Sequence, residues 1–502
     1  MTRFIARLSH PKTETDCYAK SGSNKERKGG RTLIWRWKSR SFFRYLTLAS
    51  MAILIHFLVP AGIRAAEPGN TLQAMLDQAR PGDTITITEG DYEGPIRITK
   101  PLVLLANGNV KITNPSEEAT VTIQSDKVTI QGIKIVDKRI NSEDATLLIR
   151  GNQNVLENIV IETMGTGIQL RQASSNTLHN IQVIGKVKEK GAGSDAGHDH
   201  SKHLTKGQEA PKSNVIAQKG NGIDLYDSHQ NRIISNQVTN AFDGIYVERS
   251  NGNEITQNYV EKSRYGYHFM GTSDTILLEN TGSENVTGAM LMETTKAAVL
   301  GNQLLKQQKN PNSQGILLYE VTNSKLLGNQ IEGNRVGLYL ERSEGITVRQ
   351  NQLKLNFIGM QLLNSRDNVL TENVFVSNVI QAQAQDSTTD RLDGNYWDNL
   401  QGLDVDGDAR SDLPYEMNPF YLGLTDAVPP YQLFFQAPGF VFLEGLFTNG
   451  TGTTIRDAAP LMSPPDSQAH DVGGGSSWLT GILGALLLLG SSSIIYTGVR
   501  KQ

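Results

Sequence analysis

The chain has 502 residues, with 48 Lys+Arg against 51 Asp+Glu, a formal net charge of −3, and one cysteine, Cys17. The total hides an asymmetry: residues 1–44 carry 12 Lys+Arg and 3 Asp+Glu, whereas 67–475 carry 33 and 48, a net of −15. So acidic a segment excludes a nucleic-acid partner, and with Cys17 ahead of it, it has no disulfide and no thiolate ligand.

Residues 1–66 read as a basic N-terminal region followed by a Sec-type signal peptide or anchor. Tyr45 to Ile63 is nearly all apolar and follows Arg31, Arg36, Lys38, Arg40 and Arg44, with a cleavage site after Ala65 or Ala66 or retention as an uncleaved anchor. A short amphipathic helix is expected at 70–80, behind an Asn70 N-cap, with Leu72, Met75, Leu76 and Ala79 on one face. It would cap the open end of a stacked core, whose terminal apolar face would otherwise be wet.

The rest, 67–395, is a repeat. Gly222-Ile223-Asp224-Leu225, Gly244-Ile245-Tyr246-Val247, Gly266-Tyr267-His268-Phe269, Gly288-Ala289-Met290-Leu291, Gly315-Ile316-Leu317-Leu318, Gly337-Leu338-Tyr339-Leu340 and Gly359-Met360-Gln361-Leu362 recur every 22 or 27 residues. Asn236, Asn258, Asn280, Asn302, Asn329, Asn351 and Asn373 keep the same step. A period of 22 with short alternating apolar runs and Asn/Gly corners is that of an all-β, right-handed parallel β-helix, one coil per repeat, not of helical hairpins. The asparagines stack as an internal ladder. Gly167-Ile168-Gln169-Leu170 and Ala145-Thr146-Leu147-Leu148 extend the register backwards, with Asn158 and Asn180 as ladder partners, to roughly thirteen coils. Asn180 and Asn236 lie 56 residues apart, against 44 for two coils, which leaves an insertion of about twelve inside the loop 186–219.

A cap with an Asp-rich loop follows at 396–457, then a Pro/Ser/Gly-rich linker at 458–477. Trp478 to Val499 is uncharged and long enough to span a bilayer as a transmembrane helix, and Arg500 and Lys501 behind it place the tail in the cytoplasm.

Three groups of residues carry candidate chemistry. Outward side chains of successive coils form stripes, Asp224, Tyr246, His268, Met290, Leu317, Tyr339, Gln361 beside Tyr226, Glu248, Met270, Met292, Tyr319, Glu341, Leu363. The register gathers His268, Met270, Met290 and Met292 into one patch. Thioethers with an imidazole and no thiolate suit Cu(I), and the same side chains would also make an apolar contact surface for a partner or the membrane. His198, His200 and His203 form a second, metal-capturing tract within the insertion, which would otherwise be a solvated polar loop. Asp404, Asp406, Asp408 and Asp412 resemble a Ca²⁺ loop, although Tyr415 stands where such loops place a Glu; without an ion these are side-chain-bonded turns. Asp224, Glu248 and Glu341 are the carboxylates that a glycan-cleaving or epimerising β-helix would use, but the stripe lacks the basic residues such a groove adds.

Gly394-Asn395-Tyr396-Trp397-Asp398-Asn399, then Gly402-Leu403-Asp404-Val405-Asp406-Gly407-Asp408, closing with Asp412-Leu413-Pro414-Tyr415, resembles the signature of the NosD family, periplasmic copper-binding β-helix proteins of nitrous oxide reductase maturation. The resemblance spans about 67–450. It implies a non-catalytic protein that works with an ABC transporter, with NosF-like ATPase and NosY-like membrane subunits, and delivers copper to apo nitrous oxide reductase, with a copper chaperone as a further partner. Ala409-Arg410-Ser411 departs from the family's more Gly-rich turn, and the C-terminal anchor implies a version held on the outer face of the cell membrane. The alternative is a surface β-helix that binds or modifies polysaccharide. A third reading is a docking scaffold for the transporter, whose methionine patch never meets metal.

Overall fold

The computed structural model describes residues 64–65, 71–139, 145–186, 219–308, 313–417 and 455–465. The chain winds as a parallel β-solenoid. Each regular coil contributes one six-residue strand to a 12-stranded sheet and two three-residue strands to a 24-stranded sheet, as in Asp243–Glu248, Glu254–Thr256 and Tyr259–Glu261. Among the described residues the 12-stranded sheet counts twelve coils, against the roughly thirteen expected. Along the long strands the first and third residues after glycine enter one continuous core, for example Ile245 and Val247, Tyr267 and Phe269, Leu338 and Leu340.

The glycine marker has a steric cause. A Cβ on Gly244, Gly266 or Gly337 would lie 2.5–2.6 Å from the carbonyl oxygen of the equivalent glycine in the next coil. At Gly244 it would also sit 2.2 Å from the core side chain of Val260. In these coils a side chain at this corner would meet backbone, although Thr146 and Gln381 hold the equivalent position in the coils before and after the glycine run.

The asparagine marker is a ladder as expected, and it does more than stack. Asn280 donates from Nδ2 to Asn302 Oδ1 at 3.0 Å, and its backbone N–H reaches the same oxygen at 2.9 Å. Its Nδ2 also donates to the Ile255 carbonyl at 2.8 Å. The pattern runs without a break from Asn236 to Asn395. It ends on a carboxylate: fully buried Asp457 accepts from Asn395 N and Nδ2 at 3.0 Å each and from Trp397 Nε1 at 3.1 Å. Further ladders line two other corners, Asn176, Asn231 and Asn253 at one, Asn285, Gln307, Asn334 and Asn356 at the other. Buried amides need partners, and these find theirs in the neighbouring coil, whereas Asn154 Nδ2, one coil before Asn176, has none.

Asn158 and Asn180 are not rungs. Ile181 occupies the rung position, its N–H donating to Asn236 Oδ1 at 2.8 Å. Asn180 lies one residue earlier, exposed and left-handed at φ 50°, and pairs with Asn158 on the surface. The cause is the spacing: Ile168 pairs with Ile223 and Thr177 with Arg232, so adjacent coils are 55 residues apart here. The interval thus holds a single coil and a much longer insertion than the twelve residues expected, leaving and rejoining the solenoid at Lys186 and Lys219.

Both ends are closed. The helix Leu72–Gln78 buries Leu72 and Leu76 on the first coils, with Thr71 rather than Asn70 as its N-cap, accepting from Ala74 N at 3.3 Å. Gln73 satisfies the edge strand Ile96–Ile98, accepting from Arg97 N at 2.8 Å and donating to Arg97 O at 3.2 Å, which blunts an edge otherwise open to pairing. At the other end Phe375, Trp397 and Tyr415 stack at centroid distances of 4.1 and 4.2 Å, and Tyr415–Glu416 pairs antiparallel with Arg456–Asp457. Among the described residues no helix is long and apolar enough to cross a membrane; the signal segment and 478–499 lie outside them.

Two substitutions test these constraints. Gly337→Ala should cost at least about 2 kcal/mol, because backbone rather than a flexible side chain must yield; a urea midpoint equal to wild type would contradict this. Asp457→Ala strands two buried Asn395 donors, at about 1–3 kcal/mol for each group left unmade. Faster hydrogen exchange confined to the last coils is the expected readout.

Candidate metal centre

The long strands Asp243–Glu248, Tyr265–Met270, Thr287–Met292 and Gln314–Tyr319 are neighbours in the 12-stranded sheet, about 4.8 Å apart. Their register sets Tyr246, His268, Met290 and Leu317 in one row and Glu248, Met270, Met292 and Tyr319 in the next, as the sequence predicts. These side chains point away from the core, yet the first row is not the open patch expected. Met290 is 1% exposed and His268 7%, while Met270 and Met292 are half-buried.

The His268 ring lies between two others, 4.9 Å from Tyr246 and 4.8 Å from Tyr265, the latter edge-on at 74°. Its Nδ1 is 2.8 Å from Asp243 Oδ2. Asp243, 1% exposed, is held in turn by Arg264, Nε to Oδ1 at 2.8 Å and Nη2 to Oδ2 at 2.6 Å. Arg264 stacks over Phe242 at 3.9 Å and Tyr265 at 4.3 Å. Burial alone would raise the Asp243 carboxyl, but the hydrogen bonds from His268 and Arg264 outweigh it and hold the group below the usual carboxylate range. Burial, then the bond to Glu248, pushes the Tyr246 phenol up, so it stays protonated. The remaining imidazole nitrogen, His268 Nε2, is buried and has no hydrogen-bond partner. An unmade bond of this kind is costly, and a bound ligand is one reason for it to persist.

Asp243, Arg264 and Tyr265 escaped the sequence reading for a local reason. Two-residue alternation carried back from Ile245 through Gly244 puts Asp243 in the core. The glycine position itself faces inward, towards Val260, so the alternation slips by one residue and Asp243 emerges on the outer face. The usable signal was the residue before each glycine, Asp243 in one coil and Tyr265 in the next, which the register pairs.

The other candidates fare differently. Asp224 is paired with Arg171 at 2.6 Å and accepts from Asn221 at 2.9 Å, so the stripe has a cation that its own sequence did not reveal. Glu248 and Glu341 each accept a tyrosine hydroxyl, from Tyr246 at 2.8 Å and Tyr339 at 2.9 Å. All three carboxylates thus already have partners. Asp404, Asp406 and Asp408 do converge, offering carboxylate oxygens within 4.8 Å of one another. Asp412 stands apart from them and ties the loop by accepting from Val405 N at 2.8 Å. Asp404 also accepts from Gly407 N at 2.7 Å and Ala409 N at 3.0 Å, as a side-chain-bonded turn does. His198, His200 and His203 lie outside the described residues.

Residues 206–402 match the family model described as periplasmic copper-binding protein (NosD). The matched stretch takes in His268 and the three methionines as well as Asp243 and Arg264, and stops short of Asp404. Over that stretch the chain is a parallel β-helix similar to the NosD family. No curated protein matches it. Solved structures with a similar trace include the A-module of the Azotobacter vinelandii mannuronan C-5 epimerase AlgE6, at 15% identity and TM-score 0.40, covering 66% of this chain and 89% of that one. The alginate lyase AlyF-OU02 aligns at 12% identity and TM-score 0.48, covering 66% and 84%. The catalytic domain of a GH87 α-1,3-glucanase aligns at 14% and 0.48, covering 68% and 69%.

Proposed function

We propose that this chain is a non-catalytic, extracytoplasmic accessory protein that binds copper as cargo on the outer face of its long-strand sheet and passes it on. The observation that carries the reading is the buried, unpartnered Nε2 of His268 in register with Met290, beside the neighbouring pair Met270 and Met292. A neutral imidazole and thioethers are soft, uncharged ligands, which favour Cu(I) over Zn²⁺ or Mg²⁺. Such ligands exchange readily, so Met270 and Met292, less buried than Met290, are the natural point of entry and departure. The NosD match supports copper binding outside the cytoplasm. In this reading the cargo goes to apo nitrous oxide reductase, a copper chaperone supplies it, and an ABC transporter with NosF/NosY-like subunits drives the exchange. The 478–499 segment holds the β-helix at the cell membrane. The insertion that carries His198, His200 and His203 is rooted where the short-strand sheet turns into the long-strand sheet, and serves for capture.

Anaerobic Cu(I) competition titration of the full chain tests this. Wild type should bind about one ion, and Met270→Leu/Met290→Leu/Met292→Leu, which keeps volume and apolarity, should lose more than about 100-fold in affinity, since even outer partners cost 10–100-fold. Equal binding by both proteins removes the methionines, and no binding by wild type removes the carrier role. A structural Ca²⁺ on Asp404, Asp406 and Asp408 belongs to the same account: added Ca²⁺ should raise Tm in wild type and leave Asp404→Asn unchanged.

A second reading, polysaccharide binding, is favoured by one feature. An open groove of about 790 Å³ crosses several coils of the short-strand sheet, lined by Asn180, Gln182, Gln237, Gln257, Tyr259 and Glu261 among others, with no basic residue. Such a lining fits a neutral glycan rather than a uronate. Titration with neutral oligosaccharides, with Tyr259→Ala as control, decides it.

A further inference from the structure

The polar groups behind His268 form a closed unit whose arrangement goes further than copper binding as such. Asp243 sits at the start of one long strand, His268 in the middle of the next, and Arg264 in the corner leading into that same strand. Both Asp243 oxygens are used: Oδ1 by Arg264 Nε at 2.8 Å, Oδ2 by Arg264 Nη2 at 2.6 Å and His268 Nδ1 at 2.8 Å. An ionised carboxylate only accepts, so Nδ1 must carry the hydrogen. In a neutral imidazole Nε2 is then a bare lone pair. Were it an N–H instead, it would be a buried donor with nothing to bond, since no partner reaches it.

We propose that Asp243 and Arg264 are positioning residues that hold His268 as its Nδ1–H tautomer, presenting the Nε2 lone pair to a soft monovalent cation. The proposal rests on the copper reading and specifies how the site chooses its ion. The geometry of the fork makes the choice. Arg264 engages the carboxylate through two parallel bonds, which cancels its charge and leaves neither oxygen free to ligate. The carboxylate orients the imidazole from behind, as outer carboxylates do in other metal sites. The ion would then meet one neutral nitrogen and neutral sulfurs, the nearest other carboxylate in the row, Glu248 beside Met270, being bonded by the Tyr246 hydroxyl. That surrounding rewards a singly charged soft ion and leaves a hard divalent ion uncompensated. The rings of Tyr246 and Tyr265 flank the imidazole and restrict its rotation, so its orientation does not depend on the carboxylate alone.

The test uses the full chain in metal-free form, labelled with ¹⁵N-histidine, with His268→Gln to assign the resonance. Imidazole NMR at neutral pH should show His268 protonated on Nδ1 and bare on Nε2. In Asp243→Asn the carboxamide can turn its NH₂ towards Nδ1, and the population should move to the Nε2–H form. Cu(I) affinity of Asp243→Asn should fall about 10–100-fold, with Ag(I) following the same order and Zn²⁺ binding no better in wild type than in the variant. A wild-type ring protonated on Nε2 overturns the proposal, and this holds even if Asp243→Asn does not fold. So does an Asp243→Asn protein that binds Cu(I) as wild type does while His268→Gln does not, which would leave copper binding intact and make the pair merely structural. A wild type without Cu(I) binding instead removes the copper reading itself, whatever tautomer the ring adopts.

Discussion

A buried amide left unbonded is costly, and in this solenoid each one at the main corner from Asn236 to Asn373 is satisfied by the coil that follows it. Asn280 donates to Asn302 both from its side chain and from its backbone, and the next rungs repeat the arrangement. A coil displaced by one residue would break several bonds at once and turn apolar side chains out of the core. The register is therefore rigidly specified, and the outer face inherits it. His268 meets Asp243 and Met290 because the ladder fixes which residue of each coil lies beside which. The terminal aspartate follows the same logic: the last amide still needs an acceptor, and Asp457 returns through the cap to supply one.

The ladder and the glycines were legible from the chain because the constraint behind each recurs from coil to coil along the regular stretch. Where repetition failed, so did inference. The interval between Asn180 and Asn236 looked like two coils with a small addition, since spacing alone cannot tell an extra coil from a long loop. Only the pairing of Ile168 with Ile223 resolves it. The register of His268, Met270, Met290 and Met292 was read correctly, but the burial of His268 was not visible, because Tyr246 and Tyr265 flank the imidazole. Asp243 was hidden for a different reason: the inward-facing Gly244 interrupts the alternation by which it would have been placed.

The outer face separates two kinds of polar residue. Asp224, Glu248 and Glu341 are neutralised or bonded locally, to Arg171, Tyr246 and Tyr339, and hold the sheet surface together. His268 alone in this group is bonded on one side and unfilled on the other. That contrast, rather than an abundance of polar groups, distinguishes the centre from its surroundings. The same strands that make the core supply it, so the site is as rigid as the fold. In the proposed reading, ion transfer would proceed by exchange at the half-buried methionines rather than by rearrangement of the scaffold.

The measurement that bears most directly on this account is Cu K-edge X-ray absorption on the Cu(I)-loaded full chain, compared with His268→Gln. The account predicts a first shell of one nitrogen and two or three sulfurs, with the nitrogen lost in the variant. A shell of nitrogen and oxygen alone, or a spectrum that His268→Gln leaves unchanged, would contradict it.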